Sequence, residues 1–292
     1  MNLRRAVFPV AGFGTRFLPA SKAIPKELLP IVDKPAVQYV VEEAVAAGIE
    51  TAIFVTAEGK SAIEDHFDRN LRLEAFLADR RKDELLRIVR EVGALVQVVA
   101  VRQKEALGLG HAVLQAAPVL GGEPFAVLLG DDVIVGETPA IARLAQLHRD
   151  TGAAVIAVME VAREEIRHYG CIAGEPVGPG VWRVRDLVEK PDPAQAPSNL
   201  AIIGRYILTP GVLAALGATP PDRAGEIQLT EGLRRALAAE PVYACTFPGR
   251  RYDAGNKAEF LRATVEIALR HPELGAGFRR MLEELLGQPV KA

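Results

Sequence analysis

Residues 10–27 read Val10-Ala11-Gly12-Phe13-Gly14-Thr15-Arg16-Phe17-Leu18-Pro19-Ala20-Ser21-Lys22-Ala23-Ile24-Pro25-Lys26-Glu27, and they follow directly on an apolar run at 6–10. A buried strand that opens into a polar, glycine-containing loop is how α/β sheets present a ligand site. Two glycines at a spacing of two let the backbone approach a phosphate chain and turn its N–H groups inward. Arg16, Lys22 and Lys26 add three cations to the same loop, so the expected ligand is a polyphosphate. The dinucleotide fingerprint needs a third glycine where Phe17 stands and an acid at the end of the next strand, whereas the first acid there is the distant Glu58. A P-loop needs Gly-Lys-Ser/Thr where Phe17-Leu18-Pro19 stands. Neither NAD nor a Walker-type nucleotide site fits.

Outward from this loop, short apolar runs at 6–10, 51–56, 95–101, 125–129 and 153–158 alternate with helical patterns, which predicts an α/β fold with a central sheet flanked by helices. Val37, Val40, Val41, Ala44 and Val45 form a helical stripe with Pro35 before it and Gly48 after it. Residues 68–93 are charged and helical in pattern, and read as an insertion covering a sheet edge. Residues 174–180 read as a hairpin-like loop and 181–188 as a strand, while 190–198 carries three prolines in loop territory. A strand at 200–208, a helix at 226–239, a strand at 242–247, a helix at 256–270 and a terminal helix with a frayed tail at 274–292 follow. With no repeat or linker, residues 1–292 are expected to form a single domain.

The 292 residues are 49% hydrophobic and 25% charged, which excludes fibrous and disordered classes. Thirty-five basic residues against 37 acidic ones give a net charge of -2, without the basic excess that nucleic-acid binding needs. Arg4 and Arg5 before a short, proline-interrupted apolar run make a poor secretory signal, and no apolar run is long enough to span a membrane. Cys171 and Cys245 are too few for a disulfide framework or a zinc site. The chain is therefore expected in the cytoplasm, binding neither nucleic acid nor membrane.

Gly130-Asp131-Asp132 directly follows the apolar run at 125–129, and two acids at a strand end suggest a hard cation such as Mg²⁺, which takes one or two carboxylates and completes its shell with phosphate and water. The competing reading makes one of them the cap of a following helix. None of His66, His111, His148, His168 and His271 sits in a triad or metal spacing, although His111 lies in a glycine turn that opens a helix. A substrate that brings its own nucleophile accounts for this silence. A sugar phosphate, largely dianionic at neutral pH, needs no protein base.

The loop motif, continued by Asp33-Lys34-Pro35 and Gln38-Tyr39, resembles that of bacterial UTP:glucose-1-phosphate uridylyltransferases, or UDP-glucose pyrophosphorylases. The resemblance extends through Arg102-Gln103, Gly108-Leu-Gly-His-Ala, Gly130-Asp-Asp, Tyr169-Gly170, Val188-Glu189-Lys190-Pro191, Asn199, Gly204-Arg205-Tyr206, Gly225-Glu-Ile-Gln-Leu-Thr230 and Tyr252-Asp253-x-Gly255-x-Lys257. It implies a Rossmann-like nucleotidyltransferase fold with a central, mostly parallel mixed sheet and a smaller sugar-binding β region within about 160–255. It also implies that the phosphate of glucose-1-phosphate attacks the α-phosphorus of UTP to give UDP-glucose and pyrophosphate. By that resemblance Ala11, Gly12, Gly14, Thr15, Glu27, Gln103 and Gly108 bind the nucleotide, while Arg16 and Lys26 bind its phosphates. Asp131 and Asp253 hold Mg²⁺, with Asp132 left open as the alternative to its neighbour. Gly170 and Glu189 face the sugar, Lys190 neutralises the sugar phosphate, and Glu226 is a further sugar-side or interface candidate. A homodimer or homotetramer is implied. A thymidylyltransferase or another sugar-1-phosphate nucleotidyltransferase, and a silent regulatory paralogue, are the rivals; retention of Thr15 and Arg16 speaks against the last.

Overall fold

The computed structural model describes residues 3–287; the end of the tail expected at 274–292 lies outside them. Strand β1 (Arg5–Pro9) feeds the loop, which coils through three short 3₁₀ turns into the small hairpin β2 (Pro30–Ile31) and β3 (Lys34–Pro35), then α1 (Ala36–Ala46). Next come β4 (Thr51–Thr56), α2 (Ser61–Phe67), α3 (Leu71–Asp79), α4 (Asp83–Gly93) and β5 (Gln97–Arg102). Helices α5 (Leu109–Gln115) and α6 (Ala117–Leu120) lead to β6 (Phe125–Leu128), β7 (Asp132–Val135), α7 (Ala140–Thr151) and β8 (Ala154–Glu160). The hairpin β9 (Gly170–Gly178) and β10 (Val181–Glu189) precedes β11 (Leu200–Leu208), α8 (Pro210–Gly217) and α9 (Leu229–Ala236). The described chain closes with β12 (Val242–Cys245), β13 (Arg250–Asp253), α10 (Lys257–Arg270) and α11 (Gly275–Leu286).

Nine strands form one sheet in the order β5-β4-β1-β6-β11-β8-β12-β10-β9. The sheet is mixed, as expected, and its parallel pairs are gathered in two places. Strands β5, β4, β1 and β6 run parallel to one another, as do β8 and β12, while the remaining neighbours are antiparallel. Successive strand residues point to opposite faces, and both faces of the sheet's centre are covered, so β1, β4, β6 and β8 are almost wholly apolar rather than alternating. On one face Ala6, Phe8, Ala52 and Phe54 pack under α1, α2 and α7 through Val37, Val40, Phe67 and Leu144. On the other, Val7, Ile53 and Val55 meet α5, α8 and α9 through Val113, Val212, Leu216 and Leu233. Cys171 and Cys245 are buried free thiols. Among the described residues, no helix is long and apolar enough to cross a membrane.

Three expectations are corrected by local polar chemistry. Residues 174–180 are not merely a loop, since they complete β9, whose hairpin partner is β10. The helix expected from 226 begins only at Leu229. Asp222 Oδ1 accepts the N–H groups of Ala224 and Glu226 at 2.8 and 3.0 Å, and Ile227 is pinned to Leu107 and Gly110, which holds this stretch extended. Asp132 caps no helix: it opens β7, which pairs with β13 so that Asp132 faces Asp253.

A buried ion pair lies beneath this junction. Arg205, with no exposed surface, donates to the Glu43 carboxylate at 2.7 and 3.1 Å, to the Gly204 carbonyl and to the Asp132 carbonyl. Glu43 also accepts the Ile141 N–H at 3.0 Å. The ion pair thus joins α1, β7, the start of α7 and β11, and every donor or acceptor named here has a partner, as burial requires.

Candidate active site

The loop after β1 crosses the ends of the parallel strands and walls a cleft of about 380 Å³ whose lining includes Ala11, Gly12, Lys26, Glu27, Gln103, Gly108 and Glu226. A second chamber of about 220 Å³ adjoins it, lined by Arg16, Gly170, Glu189, Thr230, Arg251 and Asp253 among others. Leu109, Leu129 and Asp131 line both, so Asp131 stands where the two chambers meet. Most of the residues singled out in the sequence therefore converge on one bipartite cleft. Gly14, Thr15 and Lys190 line neither chamber.

Gly14 instead shapes the loop. Its φ of +67° is a left-handed conformation, and a Cβ there would meet Lys26 Cβ at 3.0 Å and Ser21 Cβ at 3.3 Å. Ser21 Oγ closes the turn by donating to the Gly14 carbonyl at 2.7 Å. Gly12 faces open space, with no atom within 4 Å of where a Cβ would stand, which leaves its backbone free to face a ligand. Gln103 is buried at the cleft wall, its amide donating to the Gly108 carbonyl at 3.3 Å and lying 2.9 Å from His111 Nδ1.

Glu27 is 1% exposed, so it forms the floor of the cleft rather than an open contact. Its carboxylate accepts from Lys60 Nζ at 2.9 Å, and the same ammonium donates to the Val10 carbonyl. Burial pushes the Glu27 carboxyl up and the Lys60 ammonium down, while each opposes the shift of the other. The sequence carried no signal for Lys60, a lone cation between two elements; only the fold brings it to the loop.

At the junction, Lys26 pairs with Asp131. Burial opposes the Asp131 carboxylate, but the Lys26 ammonium outweighs it and holds this group below its usual range. Burial likewise opposes the Lys26 charge, and Asp131 outweighs it and holds Lys26 above its usual range. Asp253 behaves oppositely: burial pushes it up, with Asp131 and Asp132 adding repulsion against the pull of Arg251. Arg16, at the exposed rim, reaches within 4.0 Å of Asp253 Oδ2.

A divalent ion fits this donor set. A Cβ on Gly255 would stand 2.7 Å from Asp131 Oδ2 and 2.9 Å from Asp253 Oδ1, so glycine keeps open a cradle flanked by both carboxylates. Lys26 already supplies a stand-in cation to one of them. Among the described residues no three His, Cys, Asp or Glu side chains cluster in a metal-holding group, so an ion here would complete its shell with phosphate oxygens and water, which suits Mg²⁺. Both oxygens of Asp132 accept hydrogen bonds from the protein, Oδ1 from Arg251 Nε at 2.5 Å and Oδ2 from the Gly204 N–H at 2.8 Å.

In the second chamber Thr230 donates to Glu189 Oε2 at 2.6 Å, and a Cβ on Gly170 would touch both partners at 3.0 Å. Lys190 has φ of +43°, unusual for a side-chain-bearing residue, and its N–H donates to the Tyr169 carbonyl at 3.0 Å. Its ammonium lies 3.4 Å from Glu189 Oε1 and is otherwise solvent-exposed. A twist at the β10 end thus presents a cation beside the Glu189 carboxylate.

Comparison with known proteins places this geometry among relatives. Residues 6–269 match the family described as nucleotidyl transferase. The chain is 46% identical over 290 residues to UTP--glucose-1-phosphate uridylyltransferase YngB of Bacillus subtilis (strain 168), covering 99% of this chain and 98% of that protein. It is similar to the UTP-bound UGPase from Acinetobacter baumannii, with a TM-score of 0.89, 40% identity and coverage of 97% and 99%. A UDP-glucose pyrophosphorylase complexed with UDP-glucose matches with a TM-score of 0.83, 41% identity and coverage of 92% and 100%.

Proposed function

Because this chain belongs to the nucleotidyl transferase family, among the UTP–glucose-1-phosphate uridylyltransferases, we propose that it makes UDP-glucose and pyrophosphate from UTP and α-D-glucose-1-phosphate. The observation that carries the proposal is the meeting of Lys26, Asp131 and Asp253 where a nucleotide-sized cleft joins a carboxylate-lined chamber.

In this reading Ala11, Gly12, Gln103 and Gly108 take the uridine, over a floor made by Glu27, and Gly14 and Thr15 hold the turn. Arg16 and Lys26 bind the β and γ phosphates and stabilise the leaving pyrophosphate, as cation clamps do in phosphoryl transfer. Lys26 exchanges its carboxylate for a phosphate when the triphosphate arrives. Asp131 and Asp253 would hold Mg²⁺, which would supply charge neutralisation to the phosphates. Glu189 accepts from sugar hydroxyls beside Gly170, and Lys190 neutralises the attacking phosphate. That phosphate is itself the nucleophile and needs no protein base. Assembly as a homodimer or homotetramer belongs to the same reading, supported by the exposed Leu71, Phe76, Leu85 and Ile88 of α3 and α4, and sedimentation tests it.

A pyrophosphate-release assay crossing UTP, dTTP, CTP and ATP with glucose-, galactose- and N-acetylglucosamine-1-phosphate tests the function. Highest turnover with UTP and glucose-1-phosphate in the presence of Mg²⁺ is expected. Preference for dTTP would move the chain to the thymidylyl branch, and no turnover with any pair would make it a silent relative.

A further inference from the structure

We propose that Asp132 and Arg251 form a positioning pair that sets the separation of the two metal-site carboxylates and ties it to the sugar-side wall; this rests on the metal reading above. Each member of the pair stands next to, or two residues from, a proposed ligand: Asp132 follows Asp131, and Arg251 precedes Tyr252-Asp253. Strands β7 and β13 pair only with each other and form a ladder separate from the nine-stranded sheet. Across their backbone ladder runs the ion pair of Arg251 with Asp132, whose carboxylate is 4% exposed. Asp132 is anchored from the other direction as well. The Gly204 N–H takes its second oxygen, and the buried Arg205 donates to its carbonyl at 2.6 Å. The Ala254 N–H donates to the Asp131 carbonyl at 2.7 Å, so the ligand-bearing turns are latched directly above the ion pair.

Arg251 then reaches past the ion pair. Its Nη1 donates to the Tyr169 hydroxyl at 3.2 Å, and its guanidinium lies over the Tyr169 ring at 5.4 Å. Tyr169 immediately precedes Gly170, and its carbonyl holds the backbone of Lys190. One guanidinium therefore connects the carboxylate cradle to the residues that face the sugar phosphate. In this proposal both members are positioning residues that act through Asp131 and Asp253.

Asp132→Asn and Arg251→Lys test this. Asn keeps an acceptor for Gly204 but loses the charge, and Lys keeps the charge but loses the planar, two-armed reach. Two readouts are taken: the Mg²⁺ concentration for half-maximal pyrophosphate release, and the rise in Tm that Mg²⁺ adds in the presence of UDP-glucose relative to UDP-glucose with EDTA. Both variants are expected to need about tenfold more Mg²⁺ and to lose most of the Mg²⁺-dependent rise in Tm, whatever happens to their Tm without ligand. Arg251→Lys should also raise KM for glucose-1-phosphate more than KM for UTP. A lowered ligand-free Tm with unchanged Mg²⁺ dependence would make the pair a purely structural one and overturn the proposal. A wild-type enzyme indifferent to Mg²⁺ would instead overturn the metal reading beneath it.

Discussion

Gly255 lies against the carboxylate of Asp131 so closely that a methyl group on its Cα would sit 2.7 Å from Oδ2. The same position is 2.9 Å from Asp253 Oδ1, so the smallest side-chain addition would push on both acids at once. Gly255→Ala should lower Mg²⁺-supported turnover by about 10²-fold, the usual consequence of displacing reacting groups by about 1 Å. Steady-state rates across a Mg²⁺ series check this, and a rate within twofold of wild type would show that the cradle is not used.

Arg16 and Lys190 stand on opposite sides of the junction, one at the rim near Asp253 and the other beside Glu189. Alanine at either position should reduce kcat by about 10² or more, as expected for a lost charge stabiliser. Arg16→Ala should respond to the nucleotide and Lys190→Ala to the sugar phosphate, which separate KM determinations distinguish. Wild-type-like rates would remove the roles assigned.

Lys60 joins the start of the loop after β1 to its end through Val10 and Glu27. Lys60→Met leaves the Glu27 carboxylate buried and unpaired, so KM for UTP should rise about tenfold, with KM for glucose-1-phosphate little changed. Adding Glu27→Gln should recover stability lost in the single variant, which urea unfolding of the two variants measures.

Arg205 and Glu43 are a fully enclosed ion pair, and removing one partner strands the other's charge. Arg205→Met should cost about 3–5 kcal/mol in unfolding free energy. A loss below about 1 kcal/mol in urea titration would contradict the account.

Glu74 takes Arg69 at 2.6 and 2.9 Å and Arg90 at 3.0 Å, closing α3 onto α4. Hydrogen bonding from Arg69 pulls its carboxyl from the usual 4.5 down to about 2. A carboxyl depressed in the folded state adds stability above its unfolded pKa and loses it as pH falls towards the folded value. Stability of the wild type should therefore drop more steeply than that of Glu74→Gln between pH 4.5 and 2. Parallel stability curves over that interval would disprove the pairing's role.

Much of this protein was legible along the chain because its signals are local. Apolar runs such as Thr51–Thr56 and Leu200–Leu208 became strands with those bounds, since a run enclosed on both faces has no other place to go. Gly14, Lys26 and Asp131 could be singled out because loop chemistry and strand-end position are written in neighbouring residues. The difference between Asp131 and Asp132 could not be read there: adjacent acids look alike until β13, over a hundred residues later, brings Arg251 to Asp132 and leaves Asp131 to Lys26. Lys60, Glu43 and Arg205 likewise matter through partners distant in sequence, and a lone charged residue in a chain does not reveal whether it will meet water or a counter-charge. Periodicity and turn residues are enough to specify elements and the loop between them. Pairing of buried charges depends on which elements become neighbours, and that is a property of the closed sheet alone.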